Sequence, residues 1–151
     1  MNIALDTNIL VYFEAVNTPE MTARTIQIIQ SLRHERLFVA TQSMGELFHV
    51  LVRKGGLTRK EARERVNFWC SATHVVESSL SVLNNAMELA VSHQFQIWDS
   101  IILAAAVNAN CQMLLSEDLQ SGFTWDGVTV INPFADEPHW LLRALLENQD
   151  K

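Results

Sequence analysis

The sequence predicts an α/β fold, a single domain with a central, mainly parallel sheet of about 4–5 strands flanked by helices on both faces. Two observations support this class. Short apolar runs, typical of buried strands, alternate along the chain with longer helical segments, and this alternation favours parallel strands. The 151 residues, 48% of them hydrophobic, are enough for one buried core, and no linker or internal repeat divides them.

The first half of the chain contains three predicted strands and four predicted helices. The strands are the apolar runs at residues 3–5, 37–40 and 74–76. A short helix follows Asp6-Thr7-Asn8, which are helix-capping residue types. Three more helices are predicted at about residues 19–34, 41–54 and 58–70. Gly55-Gly56 ends the third helix, and Thr58 with Glu61 has the pattern of a capping box for the fourth.

The second half contains three predicted helices and two predicted strands. One helix begins at Ser79 or Ser81 and ends near His93. The segment 99–108 is apolar on nearly every side, which indicates a buried helix, and Asn110 is a suitable left-handed cap. The remaining elements are strands at residues 113–115 and 128–131 and an amphipathic helix at about residues 136–147.

Composition excludes several classes of protein. No apolar run reaches the roughly 18 to 20 residues that span a bilayer, and the N-terminus lacks the basic region of a signal peptide. Cys70 and Cys111 lack the spacing of a disulfide framework or a zinc site. We therefore expect a cytoplasmic protein with no membrane contact.

The charge distribution is uneven. The net charge of −6 argues weakly against a nucleic-acid partner, but six of the 11 basic residues fall between Arg53 and Arg65. Such a run is most often a solvated helix face. The alternative is a surface that contacts phosphates, and in that case Arg53 and Lys54 are the first candidates.

Three acids are predicted to lie at strand ends or helix starts. Asp6 follows the first strand, Asp118 follows the fourth, and Asp99 begins the buried helix. Ligands of open parallel sheets bind beyond the carboxyl ends of the strands, where the strand order reverses. Taken singly, each acid is explained as a helix cap, a first-turn acid or a turn residue.

Glu46 is placed by helical phase. Met44, Leu47, Phe48 and Leu51 share the apolar side of their helix, and Glu46 falls nearly opposite, facing either solvent or a polar cleft. Several ionised carboxylates can share one site only with a cation, and oxygen ligands suit Mg²⁺ or Mn²⁺. The four acids together therefore favour metal-dependent phosphoryl transfer.

Four motifs in order resemble the PIN-domain family, specifically VapC-type ribonuclease toxins of type II toxin-antitoxin systems. They are Leu5-Asp6-Thr7-Asn8-Ile9-Leu10, Gly45-Glu46-Leu47, Trp98-Asp99-Ser100 continuing to Ala106, and Leu114-Leu115-Ser116-Glu117-Asp118-Leu119. Ser116 stands where the family commonly has Thr, and Asn110 where it often has Gly; both replacements keep the chemistry. The resemblance covers about residues 3–134. It implies a PIN-like nuclease domain at 1–134. The helical tail predicted at 135–151 from its amphipathic pattern exceeds the common length of the family, and we expect it to pack on or extend the domain.

The resemblance also implies an activity and a set of site residues. It implies a Mg²⁺- or Mn²⁺-dependent endoribonuclease with Asp6, Glu46, Asp99 and Asp118 as the acidic site. Asp6 and Asp99 would be the direct metal ligands, and the supporting partners of the site would be Thr7, Asn8 and Ser116. The implied partners are an RNA substrate, a cognate antitoxin protein and a second copy of the chain in a homodimer.

Two alternatives remain open at this stage. One is a domain phosphorylated on Asp, receiver-like or phosphatase-like, but Asp6 is followed by Thr7 and Asn8 rather than by a second acid. The other is a catalytically silent PIN-fold module that binds RNA or protein, and it would keep the same sequence features. The apolar tail residues Trp140, Leu141 and Leu145 either add to a dimer contact or cover the core.

Overall fold

The computed structural model describes residues 1–148, so the last three residues of the predicted tail lie outside the described residues. Six strands in this range form one sheet. In chain order they are β1 (Asn2–Leu5), β2 (Arg36–Ala40), β3 (His74–Val76), β4 (Met113–Leu115), β5 (Thr124–Trp125) and β6 (Val128–Ile131). The order across the sheet is β3-β2-β1-β4-β6-β5, and only β5 and β6 are antiparallel. The predicted α/β class and mainly parallel sheet are confirmed.

Strand β5 was not expected from the sequence, and it brings the sheet to six strands. It is two residues long and pairs with β6 through Thr124 and Thr129 and through Trp125 and Val128. The connecting residues Asp126 and Gly127 both have positive φ, 47° and 87°. An Asp-Gly pair with two positive φ angles is typical of a tight hairpin turn, so this dipeptide was the available sequence signal.

Seven helices connect and flank the strands within residues 1–148. They are α1 (Thr7–Phe13), α2 (Pro19–Ser31), α3 (Thr41–Arg53), α4 (Arg59–Ala72), α5 (Leu80–His93), α6 (Ile97–Asn108) and α7 (Trp140–Glu147). The predicted capping box of α4 forms between Thr58 and Glu61, and Asn110 has the expected positive φ of 54°. Among these helices, none combines the length and the apolar character that crossing a membrane requires.

Two helix boundaries differ by three residues or more from those predicted, and α6 begins at Ile97, so that Asp99 lies in its first turn rather than at its start. Helix α2 ends at Ser31 with Leu32 as its C-cap, before the expected end near His34. Helix α7 begins at Trp140 rather than near residue 136, because His139 is its N-cap and its Nδ1 accepts a hydrogen bond from the Leu141 amide at 3.2 Å.

The alternation of side chains along β1 separates two cores. Ile3 and Leu5 are buried against α1, α3 and α4, whereas Ala4 between them faces the core formed with α5 and α6. Helix α6 is buried on every side, since seven of its consecutive residues, Ser100 to Ala106, are buried, and all of them except Ser100 are apolar. The predicted layers on both faces of the sheet are therefore present.

The C-terminal helix α7 packs on this chain. Leu142 is 1% exposed in the core that includes β1, and Leu141 and Leu145 are half-buried against the same core. Trp140 is 68% exposed. Two of the three apolar residues considered for a dimer contact thus cover the protein's own core.

Glu14 joins the end of α1 to α4. Its carboxylate accepts hydrogen bonds from Arg65 Nε at 2.9 Å, Arg65 Nη2 at 2.7 Å and Trp69 Nε1 at 2.9 Å. Trp69 is buried and packs edge-on against Phe13, with ring centroids 5.0 Å apart. This network fixes the position of α1, the helix that follows Asp6.

Replacing Glu14 by Ala should lower the free energy of unfolding by about 2 to 3 kcal/mol, because the buried Trp69 N–H and the Arg65 guanidinium lose their acceptor. Urea unfolding measures the change. Glu64→Ala, an exposed acid on α4, is the matched control and should stay within about 0.5 kcal/mol of the wild type. Equal stability of both variants would contradict the role given to Glu14.

Candidate active site

Asp6 lies at the carboxyl end of the central strand β1, where the strand order reverses between β1 and β4. Its backbone amide donates to the Leu115 carbonyl at 2.9 Å, which continues the β1–β4 pairing by one residue. Its side chain caps α1 by accepting from the Thr7 amide at 2.7 Å and also accepts from Ser116 Oγ at 2.6 Å. Asp6 is 3% exposed, so this carboxylate is fixed and nearly dehydrated.

Ser116 supports Asp6 from the end of β4. It is fully buried, and its hydroxyl oxygen also accepts hydrogen bonds from the backbone amides of Asp118 at 3.2 Å and Leu119 at 3.3 Å. One hydroxyl therefore orients the Asp6 carboxylate and shapes the turn that carries Asp118. Thr would keep this hydroxyl, which explains why Ser is an acceptable substitute here.

Asp118 is exposed on that turn and is held from α1. Its Oδ2 accepts a hydrogen bond from Asn8 Nδ2 at 3.0 Å, and Asn8 Oδ1 accepts from the Glu117 amide at 3.4 Å. The side chain of Asn8 thus links α1 to the turn after β4. Glu117, considered above only as one of the motif residues, is exposed and accepts a hydrogen bond from the Tyr12 hydroxyl.

Glu46 faces a polar cleft rather than open solvent, which settles the alternative left by its helical phase. It is half-buried and accepts hydrogen bonds from the Thr7 hydroxyl and from Gln42 Nε2, the latter at 2.9 Å. The Gln42 amide group also donates to the Trp98 carbonyl at 3.1 Å. Gln42 therefore connects α3 to the first turn of α6, next to Asp99.

The charges of neighbouring acids affect the pKa values of Asp6 and Asp99. Burial raises the pKa of Asp6 to about 6, and the charges of Asp118 and Asp99 add to this rise, whereas the hydrogen bonds from Ser116 and Thr7 oppose it. Burial also raises the pKa of Asp99, with further contributions from the charges of Asp118 and Glu46. In the part of the chain that the structure describes, none of the four carboxylates is paired with Lys or Arg.

The donors of this site fit a hard divalent cation with few direct protein ligands. All four are carboxylates, and two of them have pKa values raised by burial and by neighbouring acids. Within residues 1–148, no three His, Cys, Asp or Glu side chains are placed so that they could together hold a metal ion. Mg²⁺ commonly binds through one or two carboxylates and keeps several waters, so two direct ligands are enough for it.

A cleft of about 810 Å³ extends from these acids between α1 and α3. Glu46, Asp118, Thr7 and Asn8 line one part of it. The other part is lined by aromatic, apolar and polar side chains from α1, from the loop after α1 and from α3, and by a lysine at the end of α3, namely Val11, Tyr12, Val16, Asn17, His49, Val50 and Lys54.

The basic run from residue 53 to residue 65 is divided in the structure. Lys54 lines the cleft, whereas Arg53 is exposed outside it. Arg65 is engaged with Glu14. Arg59, Lys60 and Arg63 surround a separate depression next to Phe48. The run is thus neither one continuous phosphate surface nor a uniform solvated face.

Two residues of this region were not among the predicted site residues. Gln42 had a usable signal, because it precedes Glu46 by one helical turn and therefore shares its face. Tyr12 had no usable signal in the sequence, because its place in the cleft depends on the packing of α1 against α3 and on the turn that carries Glu117.

In the metal-free protein, Asp6→Asn should raise the free energy of unfolding at pH 7.5. A carboxyl whose folded pKa is about 6 instead of 3.8 stabilises the fold fully below pH 3.8, and this contribution is lost as the pH rises through 6. Because Asn does not titrate, the Asp6→Asn variant avoids this loss, and its free energy of unfolding should exceed that of the wild type by at most about 3 kcal/mol. Thermal melts in EDTA at pH 4 to 8 measure it.

The gain should shrink as the pH falls from 6 to 4, where the wild-type carboxyl is protonated. Asp136→Asn, which removes an exposed acid distant in sequence from the site, is the control and should leave the pH profile unchanged. A constant difference between Asp6→Asn and wild type over this range would contradict the raised pKa.

Three solved structures with similar folds are distant from this chain in sequence. Mycobacterium tuberculosis VapC20, described as a Sarcin-Ricin loop cleaving toxin, has a TM-score of 0.64 at 15% identity, with 77% of this chain and 89% of that chain covered. A toxin-antitoxin complex from Klebsiella pneumoniae has a TM-score of 0.62 at 17% identity, with 87% and 98% covered. VapBC2 from Rickettsia felis, bound to a promoter DNA fragment, has a TM-score of 0.62 at 15% identity, with 78% and 89% covered.

At these identities the structural neighbours establish the fold alone. No curated protein matches the sequence. The family model of the PIN domain matches residues 3–121, which is most of the chain. The protein therefore belongs to the PIN domain family.

Proposed function

We propose that this protein is a Mg²⁺- or Mn²⁺-dependent endoribonuclease of the VapC type. The observation that carries the proposal is that four carboxylates from four separate elements surround the switch point of the sheet, and that neighbouring acids raise the pKa values of Asp6 and Asp99 in addition to burial. Membership of the PIN family supports nuclease chemistry, and the structural neighbours include toxins of toxin-antitoxin pairs.

Asp6 and Asp99 are the proposed metal ligands. Asp6 is the most rigidly held of the four acids, and its charge is coupled to that of Asp99. A bound Mg²⁺ or Mn²⁺ would neutralise charge on the scissile phosphate and lower the pKa of a coordinated water. Thr7, Asn8 and Ser116 orient the carboxylates through the hydrogen bonds described above.

Glu46 and Asp118 have the complementary roles in this proposal. Both line the cleft, so both can accept a hydrogen bond from a water that approaches the phosphate, or hold a second ion. Thr7 and Gln42 fix the Glu46 carboxylate from two sides, which favours a single orientation of that water. No Lys or His is needed as the base.

The proposal extends to partners and location. The neighbours include complexes of a toxin with its antitoxin, and we expect this chain to bind a cognate antitoxin, to form a homodimer and to act on RNA in the cytoplasm. Both cysteines are free thiols, as expected for a reducing compartment.

One observation favours a second candidate, a catalytically silent PIN-fold module that binds RNA or protein. The described residues contain no preformed group of three metal-ligating side chains. The two candidates differ in metal binding and in cleavage, and each is tested separately below.

Asp6→Asn and Asp99→Asn should each lower RNA cleavage by at least about 100-fold, because each removes a charged ligand at nearly constant volume. Cleavage is measured on a pool of random-sequence oligoribonucleotides with Mg²⁺ or Mn²⁺ and with EDTA. Asp136→Asn is the matched control and should cleave at the wild-type rate. Wild-type rates in both site variants would refute the assignment, and wild-type cleavage in EDTA would refute metal dependence.

Mn²⁺ should stabilise the protein against thermal unfolding, since only the folded chain brings the acids together. At a concentration one hundred times its Kd, the expected gain is about 2.7 kcal/mol. Asp99→Asn should lose most of this gain, whereas Asp136→Asn should keep it. A wild-type melting temperature that does not respond to Mn²⁺ would favour the silent module.

A further inference from the structure

The cleft between α1 and α3 extends well beyond the acids. Its volume of about 810 Å³ is in the range of pockets that bind small ligands. Along α3 its lining changes from the carboxylate of Glu46 through the uncharged His49 and Val50 to Lys54. Such a sequence of chemical groups matches a chain of alternating phosphates and bases better than it matches a single small molecule.

We propose that this cleft binds one nucleobase and the neighbouring phosphate of single-stranded RNA, with Tyr12 and His49 contacting the base and Lys54 contacting the phosphate. This inference rests on the proposed function, because it takes the scissile phosphate to lie at the acids. It adds a base-binding subsite that the acidic residues do not provide.

Tyr12 is held in place as a fixed aromatic surface. Its hydroxyl donates a hydrogen bond to Glu117, and its ring packs edge-on against Phe134 with centroids 5.6 Å apart. A side chain already fixed at both its polar end and its ring edge loses little entropy when a ligand contacts it. Aromatic surfaces of this kind bind bases by stacking, largely without regard to sequence.

His49 lines the same cleft from α3 and is exposed, so its ring is accessible to a ligand. It lies three residues after Glu46 and one residue before Val50, which also lines the cleft. Val11 and Val16 add apolar surface from the side of α1. The region next to the acids therefore offers aromatic and apolar contacts to a base.

Lys54 is placed to contact a second phosphate. It follows Glu46 by eight residues at the end of α3, which is about 12 Å along a helix axis. Among the described residues that line the cleft, it is the one Lys or Arg. A phosphate at the acids and another at Lys54 leave the aromatic region between them for the base.

The test is the affinity of a short, labelled oligoribonucleotide of mixed sequence, measured by fluorescence anisotropy with the full chain in Ca²⁺, an oxygen-binding cation that neutralises the acids. A gel run on the same sample checks that the RNA stays intact. His49→Ala should weaken binding about 10-fold, the effect of losing one stacked base. His49→Phe should restore the affinity, and Tyr12→Phe should keep it. His34→Ala, which removes an exposed histidine outside the cleft, is the matched control and should bind as the wild type does.

An abasic oligomer with the same phosphodiester backbone separates base contacts from phosphate contacts. It should bind more weakly than the RNA, with no further loss in His49→Ala. Lys54→Gln should reduce the slope of log K against log salt by about 0.7 for both oligomers. Arg53→Gln, the exposed neighbour outside the cleft, should leave this slope closer to the wild-type value.

Four results would overturn the subsite: no detectable binding of the RNA, unchanged affinity in His49→Ala, an equal loss on the abasic oligomer, or an unchanged salt slope in Lys54→Gln. Cleavage of the same RNA with Mg²⁺ is scored separately. Base-dependent binding without cleavage would support the subsite and refute the proposed hydrolysis. Cleavage without any dependence of binding on His49 would support the hydrolysis and overturn the subsite.

Discussion

The carboxylate of Asp6 is buried at the carboxyl end of the central strand, where Ser116 and the Thr7 amide donate hydrogen bonds to it. Burying an ionised carboxylate is unfavourable, and the nearby charges of Asp118 and Asp99 increase the cost. The fold tolerates this group because pairing of β1 with β4 brings Ser116 beside it and the first turn of α1 supplies an amide. The same pairing brings the turn carrying Asp118 to the same edge.

Two of the other acids, Glu46 and Asp118, are held by hydrogen-bond partners while they line a common cleft. Glu46 is bonded to Thr7 and Gln42, and Asp118 is bonded to Asn8. Each partner comes from α1 or α3, so the position of α1 determines much of the site. This gives the Glu14 network a role in function, because it fixes the far end of α1 to α4. Electrostatic repulsion among the carboxylates is thus offset by hydrogen bonds from neutral groups and, in the proposed function, by a bound cation.

The sequence was sufficient for the features that depend on local patterns. Apolar runs predicted the five longer strands. Because parallel strands share one carboxyl edge, the positions of Asp6 and Asp118 shortly after two of these strands predicted that both acids lie at that edge. Features that depend on packing were missed or misplaced. Strand β5 is only two residues long and is defined by its turn, and α7 begins late because His139 caps it. Of the two basic residues named as candidates for phosphate contact, Lys54 lines the cleft and Arg53 does not, because the end of α3 turns their side chains in different directions. The roles of the four acids remain a prediction.

The most direct measurement is the anomalous diffraction of crystals soaked in Mn²⁺. The account predicts one ion with carboxylate oxygens of both Asp6 and Asp99 at about 2.1 Å, the distance typical of small octahedral cations, and with water completing its coordination. Ser116 and Thr7 should keep their contacts to Asp6 when the ion is bound. Full occupancy of Mn²⁺ elsewhere on the chain, or no ion near Asp6 at a concentration that saturates binding in solution, would contradict the account.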